Sequence, residues 1–140
     1  MTLNAKTALV TGSTSGIGLG IACKLAEAGA DVMLNGFGDV DAAIERVSAY
    51  GTRVLHHPAD VSDVDQIADL VSRTERDLGS VDVLVNNAGI QHVAPIESFP
   101  VERWDTIIAI NLTSAFHTMR LALPGMRERN WGRIINIASV

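Results

Sequence analysis

At 140 residues, 47% of them hydrophobic, the chain has enough apolar material for the core of one ordinary domain and is not a disordered tail. Eleven basic against sixteen acidic residues leave a net charge of -5, which offers no electrostatic footprint for a phosphate backbone and argues against nucleic acid as a partner. No apolar stretch approaches the roughly 20 residues of a membrane-spanning helix, and "MTLNAKTALV" lacks a basic region followed by an apolar core, so the expectation is a cytoplasmic chain with no membrane partner.

The first expected strand is "KTALVT" (6–11), followed by the glycine turn "TGSTSGIG" (11–18) and a helix on which Ile17, Ile21 and Leu25 recur at helical spacing before Gly29 supplies a left-handed stop. Cys23 is the only cysteine, so no internal disulfide is possible, and its alanine-rich helix suits packing better than reactivity. "DVMLNG" (31–36) is the second strand, and a weaker helix covers about 40–50. In the third strand, "TRVLHH" (52–57), His56 and His57 are adjacent and must point to opposite faces, which with His92 and His117 far off in sequence speaks against a metal site. Ser62 and Asp65 read as a capping box ahead of Ile67, Leu70, Val71, Thr74 and Leu78, closed by Gly79. "VDVLVNN" (81–87) is the fourth strand. Pro100 opens a long helix whose apolar face carries Trp104, Ile108, Leu112, Phe116 and Met119 and which ends near Pro124 and Gly125; "RIINIA" (133–138) is the fifth strand.

Mostly continuous apolar strands alternating with amphipathic helices predict an α/β fold of doubly wound, three-layer α/β/α type around a parallel sheet. The glycine turn falls between the first strand and its helix, where the pyrophosphate of a dinucleotide would lie. Gly12 permits the tight turn, Gly16 lets backbone approach phosphate, and Gly18 lets helix and strand pack closely. Ser13, Thr14 and Ser15 add hydroxyl donors, Ile17 completes the cradle, and the helix dipole favours an anion there. Asn111, flanked by Ile107, Ile108, Ala115 and Phe116 on the long helix, carries an amide that needs a hydrogen-bond partner wherever it is buried.

The spacing G-x-x-x-G-x-G, with "NNAG" (86–89), "ADVSD" around Asp60, "INLTSAF" around Asn111 and "NIAS" ending in Ser139, resembles the short-chain dehydrogenase/reductase family across essentially the whole chain. The resemblance implies a Rossmann-like domain over 1–140, with Asp60 and Val61 beside the adenine, Phe37 at the adenosine end, and Asn87, Ala88 and Gly89 along the dinucleotide. It implies catalytic roles for Asn111, which helps to hold a proton-relay water, and for Ser139, which polarises the substrate carbonyl. A conventional NAD site has an acid about 20 residues past the glycines. Here Gly36 and Phe37 stand in its place, while Asp39 suits either the ribose or the next helix's cap. A 2′-phosphate would want a cation, yet Ser15 stands where NADP-using relatives often carry Arg or Lys and no basic residue lies between Lys24 and Arg46, so the reading favours NAD.

The family's tyrosine, about 13 residues after the serine, and its lysine, four further on, have no counterpart here; the only tyrosine is Tyr50. The resemblance thus implies the first half or so of a longer dehydrogenase, cut after the fifth strand, inactive alone and leaving that strand as an apolar edge. Within the family, "NNAGIQHVAPIESFP" and "TGSTSGIGLGIA" with "NGFG" are most similar to bacterial members that oxidise (R)-3-hydroxybutanoate. That implies a small hydroxy-acid substrate whose carboxylate meets Gln91, with Ser139 also in contact, and a homotetramer at full length. The competing readings are a non-catalytic NAD-binding module and a structural fragment that binds through the fifth strand's edge.

Overall fold

In the computed structural model, which describes residues 2–139, five parallel strands lie in the order β3-β2-β1-β4-β5. They are β1 (Thr7–Val10), β2 (Asp31–Asn35), β3 (Val54–His57), β4 (Val83–Asn86) and β5 (Arg133–Asn136). The helices are α1 (Gly16–Glu27), α2 (Val40–Ser48), α3 (Val64–Leu78), α4 (Val101–Ile108) and α5 (Ser114–Arg129). The doubly wound, three-layer expectation is met. Because side chains alternate along a strand, Ala8, Val10, Val32 and Leu34 pack against α1 and α2 on one face, while Leu9, Met33 and Leu84 pack against α3 and α5 on the other. β1 and β4 are buried throughout, as their unbroken apolar runs require. β5 is an edge strand, with Ile135 44% exposed.

At the amino ends of the strands, the buried carboxylate of Asp82 joins three elements. Its Oδ2 accepts from the Thr7 N–H (2.8 Å) and the Ser80 hydroxyl (2.7 Å), and its Oδ1 accepts from Arg129 Nε (3.1 Å). Gly29 and Gly79 take the left-handed conformation expected of helix stops, with φ of 102° and 99°.

Three local expectations are corrected. Asp63, not Ser62, caps α3: its Oδ1 accepts from the N–H groups of Asp65 (2.9 Å) and Gln66 (3.3 Å), whereas the Ser62 hydroxyl donates to Asp60. A carboxylate at that position is the stronger acceptor, and those backbone bonds hold the Asp63 carboxyl below its usual range. The helix starting after Pro100 is broken in two by a π-helical turn at Ala109–Thr113, and α5 runs through Pro124 to Asn130, which supplies the left-handed stop at φ 54°. Ala122 and Met126, buried on either side of Pro124, keep the helix against the sheet despite the lost N–H. Finally, the apolar stripe of Trp104, Leu112 and Phe116 does not face the core; these side chains are exposed. α5 packs through Ser114, Thr118, Ala122 and Met126 instead. Small residues allow a close approach, and Thr118 fixes it by donating its hydroxyl to Asn86 Oδ1 (2.6 Å).

Candidate dinucleotide site

The carboxyl ends of β1, β2 and β4 converge on the glycine turn, and hydrogen bonds lock them together. Thr11 Oγ1 accepts from the N–H groups of Asn87 and Ala88 (both 3.0 Å), while Asn87 Nδ2 donates to the carbonyls of Gly12 (2.9 Å) and Thr11 (3.2 Å). From the other side, buried Asn35 accepts the Gly12 N–H on Oδ1 (3.2 Å) and donates through Nδ2 to the carbonyls of His57 (3.1 Å) and Ala59 (3.0 Å). Asn86 Nδ2 donates to Asn136 Oδ1 (2.9 Å), which ties β4 to β5. The two asparagines of "NNAG" thus divide the work, one holding the sheet and the other the turn.

Gly12 and Gly16 adopt positive φ (60° and 57°), a backbone that other residues take only with strain. Gly18 is glycine for a different reason. A Cβ there would lie 2.2 Å from the Gly12 carbonyl oxygen and 2.5 Å from Asn87 Nδ2, so α1 comes this close to the turn only without a side chain. At the start of α1, Ser15 makes no side-chain cap. The first-turn N–H groups, which have no partner within a helix, are open to an anion.

Two cavities flank the segment 87–90. The smaller, about 350 Å³, is lined among others by Gly12, Thr14, Ser15, Phe37, Asp60 and Val61. The larger, about 1000 Å³, brings together Ile17, Gln91, Asn111 and Ser139. Asn87, Ala88 and Gly89 border both. The sequence-derived adenosine-side residues therefore fall on one side of this wall and the catalytic and substrate residues on the other.

The hydroxyl triplet divides. Ser15 makes no side-chain cap bond and lines the smaller cavity. Ser13 is fully buried and lines neither cavity: its hydroxyl donates to the Val10 carbonyl (2.7 Å), a correction that follows from its position inside the turn. Thr14 donates to the Phe37 carbonyl, which fastens the 36–38 loop to the glycine turn. Asp39 caps α2 by accepting the Ala42 N–H (3.1 Å), which resolves the alternative left open between cap and ribose. Asp60 Oδ1 accepts from the N–H (2.9 Å) and hydroxyl (2.7 Å) of Ser62, holding the turn at the cavity rim.

Asn111 lies in the π-helical turn, a distortion common at functional positions. Its amide clasps one residue: Nδ2 donates to the Ile90 carbonyl (2.8 Å) and Oδ1 accepts the Ile90 N–H (2.9 Å). The partner that this amide was expected to need is therefore backbone, and the clasp fixes the wall between the cavities next to Gln91. Thr11, Asn35 and Ile90 were missed by sequence reasoning. The available signal was a polar residue closing an otherwise apolar strand, "LVT" and "MLN".

These residues fit a dinucleotide: a strain-free glycine turn, an uncapped helix start, and a divided cavity running along the carboxyl edge of the sheet. The fold and site together define a Rossmann-type domain with a cradle suited to a dinucleotide. The model of the short chain dehydrogenase family matches residues 6–140, and the chain belongs to that family. It is 64% identical over 139 residues to the D-beta-hydroxybutyrate dehydrogenase of Cupriavidus necator, a match covering 98% of this chain and 54% of that protein. Among solved structures, a metagenomic short-chain oxidoreductase in complex with NADP superposes with a TM-score of 0.95 at 35% identity, over 100% of this chain and 65% of that one. An NAD+-bound xylitol dehydrogenase gives 0.92 at 34% identity, over 99% of this chain and 55% of that one. The chain spans about half the length of the curated relatives it matches.

Proposed function

We propose that this chain supplies the NAD-binding machinery and part of the substrate site for oxidation of (R)-3-hydroxybutanoate to acetoacetate, with hydride passing to NAD and one proton released. The observation that carries the reading is that Gln91, Asn111 and Ser139 meet on one cavity whose wall, 87–90, is shared with the adenosine side. The 64% identity to a D-beta-hydroxybutyrate dehydrogenase supports the substrate.

Bound NAD would supply the hydride acceptor. The α1 N-terminus and glycine turn hold its phosphates, and Asp60, Val61 and Phe37 border its adenosine. No Lys or Arg is among the residues lining that cavity, so a 2′-phosphate would find no cation, which supports NAD over NADP. The Gln91 amide donates to the substrate carboxylate, and Ser139 polarises the oxygen at the reacting carbon. Asn111 keeps Ile90, and with it Gln91, in place. Tyr50 lines a shallow groove on α2 with Glu45 and Arg46, away from both cavities, so it is not the proton donor. This reading assigns proton transfer to a tyrosine–lysine pair beyond these 140 residues. The exposed stripe of Trp104, Leu112 and Phe116, along α4, the π-helical turn and α5, supports assembly of the whole protein as a homotetramer.

Calorimetric titration of the chain with NAD and NADP tests the cofactor. We expect saturable NAD binding and NADP binding weaker by about tenfold or more. The substrate test is NADH formation from (R)- and (S)-3-hydroxybutanoate, with the 140-residue chain and with the family's tyrosine–lysine segment appended. Turnover of the (R) form by the longer chain alone is expected; failure to bind NAD, or preference for the (S) form, would overturn the reading.

A further inference from the structure

His57 closes β3 on the face toward α3, and both of its ring nitrogens are engaged. Nδ1 accepts the N–H of Ala59 at 3.1 Å, and Nε2 lies 2.6 Å from Asp69 Oδ2. A backbone N–H can only donate, so Nδ1 carries no proton; the single ring proton is on Nε2 and points at the carboxylate. The geometry therefore specifies the neutral ring in one tautomer. Ala59, Asp60 and Val61 all line the adenosine-side cavity. The Ala59 carbonyl accepts from Asn35 Nδ2, and Asn35 Oδ1 accepts the Gly12 N–H, so a short chain of hydrogen bonds runs from the imidazole to the glycine turn.

We propose that His57 is a positioning residue for the adenosine end of the cofactor: its neutral ring fixes the Ala59–Val61 wall, and protonation at Nδ1 releases that wall and weakens dinucleotide binding. The proposal rests on the NAD-binding reading above. A second ring proton removes the acceptor and sets two donors against each other across 3.1 Å, so either the imidazolium or the Ala59 peptide must move. The groups around His57 do not replace the lost acceptor. From α3, Asp69 faces Nε2, with Arg73 and Arg76 further along and paired to Asp77. Asp60, in the following loop, has its Oδ1 on Ser62. From β2 the neighbour is the uncharged Asn35, and His56 points to the opposite face, to the Gly36 carbonyl. Asp69, whose carboxyl the His57 hydrogen bond holds below its usual range, is an anion throughout the range in which an imidazole titrates. It accepts from the neutral ring and pairs with the charged one, so the pH response comes from Ala59. The sign follows from linkage: NAD binds the neutral form better, so taking up the second ring proton costs affinity, and the loss appears on the acid side.

The test is NAD affinity by calorimetry between about pH 8 and about pH 5.5 for the wild type, His57→Gln and Asp69→Asn, together with ring-nitrogen NMR of the unliganded chain. The wild type should lose about threefold to tenfold in affinity across that range. His57→Gln should show a flat profile. Asp69→Asn, which keeps an acceptor for Nε2–H, should bind normally at the alkaline end and still lose affinity on acidification, because the Nδ1–Ala59 contact is unchanged. A wild-type profile that is flat, an unchanged drop in His57→Gln, or a proton found on Nδ1 at the alkaline end would each overturn the proposal. If no form binds NAD, the functional reading fails by itself. Hydrogen exchange of the Ala59 amide then decides this one: protection that weakens on acidification supports it, and pH-independent protection overturns it.

Discussion

Three helices start at or beside the carboxyl edge of the same sheet, and they start differently. α2 and α3 are each closed by an aspartate, Asp39 and Asp63, whose carboxylates accept the first-turn N–H groups. α1 begins at Ser15, which makes no such bond, and its first turn reads Gly-Ile-Gly with no acid. A side-chain cap is worth typically about 1 kcal/mol to a helix, so leaving α1 without one forgoes stability at the one helix start that a phosphate would need. The difference teaches where the fold leaves a helix's partial positive charge open and where it spends that charge internally.

The most severe way to break the comparison is Gly18→Ala. The added Cβ would lie 2.2 Å from the Gly12 carbonyl oxygen, a backbone atom that cannot rotate away. We expect a loss of about 3 kcal/mol or more in chemical denaturation and no measurable NAD binding, because α1 must leave the turn. Ser15→Asp sharpens the comparison instead by giving α1 the cap its neighbours have. Ser15 already has the extended backbone of a cap residue, at φ -158° and ψ 171°. The variant should gain about 1 kcal/mol of stability while NAD affinity falls by about tenfold or more, since the carboxylate takes the N–H groups and repels the phosphates. Stability and affinity moving in the same direction would show that α1's start is not the phosphate site.

Much of this organisation was legible in the sequence because strands, helix stops and the glycine turn are local. Val, Ile and Leu runs mark buried parallel strands, and Gly29 and Gly79 sit where the chain must turn left-handed. What escaped was set by pairing across the fold. Nothing near Asn35 announces that its amide reaches both the Gly12 turn and the 57–59 segment, since those partners are 22 to 24 residues away. The stripe of Trp104, Leu112 and Phe116 has the period of a core-facing helix, yet which face meets the sheet is decided by the fit of Thr118 and Ala122 against β4 and α3. Likewise Ser62 and Asp63 are both good caps, and Asp60 settles the choice by engaging the Ser62 hydroxyl.

The capped helix provides the smallest and most diagnostic effect. Asp63's carboxyl is held below its usual range by the N–H groups of Gln66 and Asp65, so it binds its proton more weakly folded than unfolded. A group depressed in this way contributes stability above the ordinary carboxylate range, and the contribution is lost as pH falls through the folded value. Asp63→Ala should therefore lower Tm by a few degrees at neutral pH, with the difference from wild type shrinking as the solution is acidified. Asp63→Asn, which keeps an oxygen acceptor, should recover most of the loss. NAD affinity should not change in either variant, because α3 spends its first-turn N–H groups internally. A shift in affinity of the size expected for Ser15→Asp would mean that the α3 start also answers to the ligand, and the contrast between the two helix ends would fail.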